Sequence, residues 1–197
     1  MSRILIRNGR LIDPASGLDE LGDIAVADGR IVGLGGNVSD FTPDTQIDAK
    51  GQWVIPGLID LAARKADIAS EARAAAAGGI TTLVMPPDTD PVMDTPSVID
   101  WVQHRADAAK GARVVPLGAL THGNQGTTLS SMAALAAAGC PAMSDGGTPI
   151  SDSLVLRRAL EYAQTFALPS LLTPLDQSLA GGFLHEGPTA TRLGLAG

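Results

Sequence analysis

The 197-residue chain is 45% hydrophobic and 18% charged, with a net charge of −7. That composition supports a packed core and excludes a disordered segment. An acidic balance without a Lys/Arg cluster argues against nucleic acid or an anionic membrane surface as a partner.

The first fifty-odd residues show short β-rich runs separated by turn residues. Ile4–Ile6, Leu11–Ile12, Asp23–Val26 and Ile31–Leu34 are such runs, and Asn8-Gly9, Pro14, Gly17, Asp28-Gly29 and Gly35-Gly36 punctuate them. They predict a small antiparallel sheet, with further strands at Gln46–Ala49 and Trp53–Ile55. From Pro56 the pattern changes to strand followed by helix. Leu58–Leu61 is an apolar strand, and Ala66–Ala77 is a helix stopped by Gly78-Gly79. Ile80–Met85 is a buried strand, followed by a helix capped at Thr95, with Pro96 in its first turn, running to about Ala109. Ala112–Leu117, Ala142-Met143 and Pro169–Thr173 are strands. Thr128–Ala138 is a helix, and another starts at Ser151 or Asp152 and runs to Phe166. Ala180–Gly197 holds no strong element.

Strands alternating with helices of this length predict βαβ units and a parallel sheet. The fold class is therefore α/β, with residues 1–55 as one part and 56–197 as the other. A complete (β/α)8 barrel needs about 250 residues. About five strands and four helices make an incomplete one, so the expectation is a truncated, fragmentary or partner-completed chain.

Aromatic residues make up only 3%, so the core must use Leu, Ile, Val, Ala and Met. Cys140 is the only cysteine, which rules out an internal disulfide and fits a reducing compartment. Its bland reading is a small buried residue. No apolar run reaches membrane-spanning length, and the first residues form a strand and turn, not a signal peptide. A cytoplasmic protein is the expectation. His104, His122 and His185 share no short spacing and are a weak metal signal. His104 is expected to face solvent and His122 to make a loop hydrogen bond. His185-Glu186-Gly187 lacks the second His of a zinc-helix motif. The paired glycines fit no phosphate-binding pattern and read as turns and caps.

Two stretches carry a resemblance. Trp53-Val54-Ile55-Pro56-Gly57-Leu58-Ile59-Asp60 and Glu71–Pro86, with Gly78-Gly79-Ile80-Thr81-Thr82 at its centre, resemble the dihydroorotase and allantoinase branch of the amidohydrolase superfamily. The resemblance implies a β-sandwich beside a metal-bearing (β/α)8 barrel, of which this chain matches the N-terminal half. In active members Pro-Gly-Leu-Ile-Asp runs on into a His-x-His pair that grips zinc. Here Ala62 and Arg64 occupy those two places. Ala offers no lone pair, and Arg cannot deprotonate and repels a dication. Asp145 falls on the position of a metal-bridging group, and Thr173 stands where a further His is expected. The implication is a pseudo-enzyme with no catalytic residues, no cofactor and no metal ligands, its vestigial positions being Ala62, Arg64, Asp145 and Thr173. A further expectation is that Asp145 is stabilised by loop amides or by Arg64, and in the second case the guanidinium pairs with it and replaces the metal.

The Pro86-Pro87-Asp88-Thr89-Asp90-Pro91 variant and Leu120–Gly126 resemble the dihydroorotase-like chain of bacterial aspartate carbamoyltransferase. That resemblance implies a structural partner of the transcarbamoylase catalytic chain in pyrimidine biosynthesis, in a hetero-oligomer. The alternatives are a working zinc cyclic amidohydrolase acting on dihydroorotate, and a truncated fragment without function.

Overall fold

The computed structural model describes residues 2–38, 40–64, 67–176 and 178–196. The chain divides into two compact units, Met1–Gly57 and Leu58–Gly197.

The first unit is one mixed sheet. Strands β1 (Arg3–Asp13), β2 (Leu18–Ala27), β3 (Arg30–Leu34), β4 (Thr45–Asp48) and β5 (Trp53–Val54) take the order β3-β2-β1-β4, with β5 also on β1. The pairs β1–β2 and β2–β3 are antiparallel, as expected, but β4 and β5 run parallel to β1. The described residues of this unit form this single sheet, so the expected sandwich is not what they show. Asn8-Gly9 is not the predicted turn either. Strand β1 runs straight through it with a shift of register between Ile6 and Gly9. Asn8 takes a φ of +62° there, its N–H donating to Asp23 (2.9 Å) and its side-chain amide to Asp48 (2.9 Å). The side-chain bonds hold a β-bulge where the dipeptide alone suggests a hairpin. Leu5, Ala25 and Val38 form a small core against Phe41.

The second unit carries strands β6 (Leu58–Asp60), β7 (Ile80–Met85), β8 (Arg113–Pro116), β9 (Gly118–Ala119), β10 (Met143–Ser144) and β11 (Ser170–Leu171). Every pairing among them is parallel, in the orders β6-β7-β8 and β9-β10-β11. Strands β8 and β9 are separated by Leu117 alone. The Leu117 N–H donates to Met85 O, and the Gly118 N–H donates to Ala142 O. Six short strands therefore fill five consecutive places, the order in which barrel strands are wound. Gly118 permits the close approach of Met143 and Leu135, since a Cβ there would lie 2.7 Å from Met143 Sδ and 3.0 Å from Leu135 Cδ1.

Helices α1 (Ile68–Ala77), α2 (Pro96–Ala109), α3 (Met132–Ala137), α4 (Ser153–Thr165) and α5 (Pro188–Leu193) complete the unit. The predicted first residue of α1, Ala66, lies outside the described residues. Along α2 the buried residues are Ile99, Val102, Ala106 and Ala109, a stripe at helical spacing. Thr95 precedes α2 in extended conformation but makes no side-chain cap bond.

Two helix expectations need correction. Helix α3 begins at Met132, not Thr128, because the preceding residues are drawn into a hairpin-like pairing. His122 N–H donates to Thr128 O, Ser130 N–H donates to Leu120 O, and Thr121 bridges Leu129. The segment 180–197, read as structureless, holds α5, which has Pro188 in its first turn and Gly194 at its end. The second unit thus has five helices among its described residues, not four, while its six strands occupy the five predicted places.

One buried cluster runs from Ala63, Ile68 and Ala72 through Leu83, Met85 and Met93 to Met132, Leu135, Cys140 and Met143. Its aliphatic and sulfur-bearing makeup follows from the scarcity of aromatic residues. No helix among the described residues is long and apolar enough to cross a membrane.

Candidate functional site

In parallel barrel-type sheets, chemistry gathers in the loops beyond the C-terminal strand ends. Ala62, Arg64, Asp145 and Thr173 all lie there. Strand β6 ends at Asp60, and Ala62 and Arg64 follow it. Ala63 is buried in the core, its N–H donating to Val84 O at 3.0 Å, while Ala62 and Arg64 on either side are exposed. Ala62 brings only its backbone to the site, its N–H donating to Asp60 Oδ1 at 2.9 Å.

Asp145 follows β10 and is buried at 4% exposure. Both of its carboxylate oxygens are engaged. Oδ1 accepts from Gly147 N–H (2.9 Å) and Thr173 Oγ1 (3.0 Å), and Oδ2 accepts from Thr173 N–H (2.6 Å). A buried carboxylate is tolerable when several donors meet it. The structure therefore brings two of the four vestigial positions into direct contact.

The expected Arg64–Asp145 pair is not formed. Arg64 Nη1 donates instead to Asp88 Oδ2 (2.5 Å), in the loop after β7, and to Gly146 O (3.2 Å), one residue past Asp145. The reason is that the loop amides and Thr173 already satisfy Asp145, whereas the carboxylate of Asp88 is free to meet the guanidinium. Arg64 does reach the loop that carries Asp145, but not its side chain. Sequence reasoning missed Asp88 as the partner. Its one available signal was a carboxylate just past the C-terminal end of a buried strand.

Around this core lie two more polar contacts. Asn124 Nδ2 donates to Pro87 O at 3.4 Å. His122 Nδ1 lies 3.2 Å from Asp94 Oδ2, which also accepts from Gly123 N–H at 2.9 Å. A cavity of about 330 Å³ opens beside Arg64, lined also by Asp88, Asp90, Thr89, Met85 and Trp101. His104, on α2, and His185, between β11 and α5, are both exposed. Among the described residues no three His, Cys, Asp or Glu side chains converge as a metal site.

Residues 51–194 match the family described as dihydro-orotase-like. The chain is 47% identical, over 98% of its length, to a dihydroorotase-like protein of Pseudomonas aeruginosa. It is 42% identical, over its whole length, to a dihydroorotase of Anaeromyxobacter sp. strain K. It covers 48% of each of these proteins, so it spans about half the length of the curated relatives it matches. Among solved structures, the L-hydantoinase (dihydropyrimidinase) of Arthrobacter aurescens superposes with a TM-score of 0.74 at 20% identity, covering 91% of this chain and 42% of that one. This last likeness bears on fold alone. The chain belongs to the dihydroorotase-like family and corresponds to the N-terminal half of such amidohydrolases.

The zinc that the resemblance implies for active members does not fit this donor set. Ala62 has no donor atom, Arg64 is a permanent cation, and the oxygens of Asp145 are committed to Gly147 and Thr173. A catalytic zinc needs about three protein ligands and an open position for water.

Proposed function

We propose that this chain is a non-catalytic, dihydroorotase-like component of pyrimidine biosynthesis, an assembly partner of the aspartate carbamoyltransferase catalytic chain. One observation carries the loss of catalysis. The two places of a zinc-gripping His-x-His pair hold Ala62 and Arg64, and Arg64 is bound to Asp88 and the Gly146 carbonyl. A guanidinium held in the mouth repels a divalent ion and supplies no lone pair for it. On this reading the strand ends keep the parallel arrangement of the family without a means of activating water. The name of the Pseudomonas aeruginosa relative, a dihydroorotase-like protein and not a dihydroorotase, accords with this reading. The partner assignment rests on the Pro-Pro-Asp-Thr-Asp-Pro and Leu120–Gly126 resemblance.

The second reading, a working zinc amidohydrolase acting on dihydroorotate, draws support from relatives that are named dihydroorotase, such as that of Anaeromyxobacter. The donor set weighs against it.

Two measurements on the purified chain separate the readings. The chain, co-expressed with the aspartate carbamoyltransferase catalytic chain of the same organism, is expected to co-migrate with it in size-exclusion chromatography. It is expected to hold no stoichiometric zinc and to leave dihydroorotate unhydrolysed. Separate migration defeats the assembly role. Bound zinc together with dihydroorotate turnover defeats the pseudo-enzyme reading.

A further inference from the structure

We propose that Arg64 is a built-in cation that ties together the loops following β6, β7 and β10, so that the mouth of the parallel sheet is held by a guanidinium clip.

The clip has three parts. Arg64 Nη1 meets Asp88, 24 residues away, and the Gly146 carbonyl, 82 residues away, so one side chain joins segments that are remote in sequence. Gly147 forms the seat. A Cβ there would lie 2.9 Å from Nη1 and 3.2 Å from Nη2, so the guanidinium rests against bare backbone. Neighbouring ties extend the belt. Asn124 Nδ2 joins the loop after β9 to Pro87, and Asp145 joins the loop after β10 to Thr173 beyond β11. Among the described hydrogen bonds, Arg64 alone links the segment after β6 to the loop after β10.

The physical reason for an arginine is reach and fixed charge. It donates to a carboxylate and a carbonyl at once, and it stays protonated. The Arg64 and Asp88 side chains are 47% and 31% exposed, so solvent screens the pair. The contribution is therefore local order, not global stability. The clip does not depend on any partner chain. Failure of the assembly reading would leave it standing, and failure of the clip would leave that reading untouched.

Hydrogen–deuterium exchange on the 197-residue chain tests it, comparing wild type with Arg64→Met, Asp88→Asn and, as a remote control, Arg158→Met. Arg64→Met is expected to speed exchange by about 3- to 10-fold in the segments around Asp88 and around Gly146-Gly147, with the melting temperature nearly unchanged. Asp88→Asn should loosen its own segment more than the glycine pair, because the bond to the Gly146 carbonyl persists. Salt at about 1 M should reproduce part of the effect in wild type and add little in Arg64→Met. Unchanged exchange in both segments of Arg64→Met would overturn the proposal. So would an acceleration spread evenly over the second unit, or the same local change in Arg158→Met.

Discussion

Gly147 sits at a φ of +84° with its N–H on Asp145 and the Arg64 guanidinium against its α-carbon. Any L side chain there meets two penalties, left-handed backbone and a crowded cation. Gly147→Ala is expected to lower stability by about 1–2 kcal/mol from the backbone alone, read from the midpoint of urea unfolding. An unchanged midpoint would mean that the turn rearranges freely. Cys140 offers a second check on a single side chain. It is 3% exposed, and burial pushes its thiol up to about 12. The thiolate is the reactive form. At pH 8 the folded chain should therefore resist a thiol-specific reagent such as DTNB, and label fully once unfolded in guanidinium. Prompt stoichiometric labelling of the native chain would contradict its place in the core.

Helix α1 shows how short-range chemistry sets an element boundary. Asp67 accepts from Ser70 N–H at 3.1 Å, an N-cap that satisfies one of the free first-turn amides. Its carboxyl is held below the ordinary 3.8 by hydrogen bonds from the Ser70 side chain first and the Ser70 backbone next. A depressed folded value means that the cap is in force above about pH 4. It is lost as the pH falls through the lowered value, because the protonated acid is a weaker acceptor. Protection of the Ser70 amide, taken relative to its intrinsic exchange rate at each pH, is expected to fall on acidification below about pH 4 in wild type. In Asp67→Ala that protection should already be low at neutral pH and should not show the acid-induced fall. Equal protection in the two proteins at pH 7 would show that the cap is idle. The same local logic made β7 and α2 readable from sequence, since their predicted spans of Ile80–Met85 and Pro96–Ala109 match the observed bounds. It failed at α3, where contacts made by His122, Leu120 and Thr121 hold Thr128–Ser130 outside the helix.

Each unit has buried apolar residues of its own and also exposes large apolar side chains. Leu135 and Met143 are 0% exposed, whereas Trp53 is 70%, Leu179 77% and Phe183 82% exposed. Burial decides what each contributes to stability. Leu135→Ala should cost about 2–5 kcal/mol, while Phe183→Ser should shift stability by no more than about 0.5 kcal/mol. Chemical unfolding of the two variants checks the contrast. A large loss from Phe183→Ser would mean that this side chain is covered in solution. Exposed apolar side chains on this scale also accord with a chain that spans half its relatives' length and with the proposed assembly role.

Periodicity and Pro-Gly punctuation were enough to determine a strand-helix alternation from Pro56 onward and a β-rich start. These depend on each residue's own chemistry or on neighbours a few positions away. The tertiary structure alone decided that β4 and β5 run parallel to β1, and that Asn8 makes a bulge. It also decided that Arg64 takes Asp88 and leaves Asp145 to Thr173. Each of these turns on which polar group wins a partner 15 to 82 residues away. That contest is settled by packing and solvent exclusion, which no local pattern encodes.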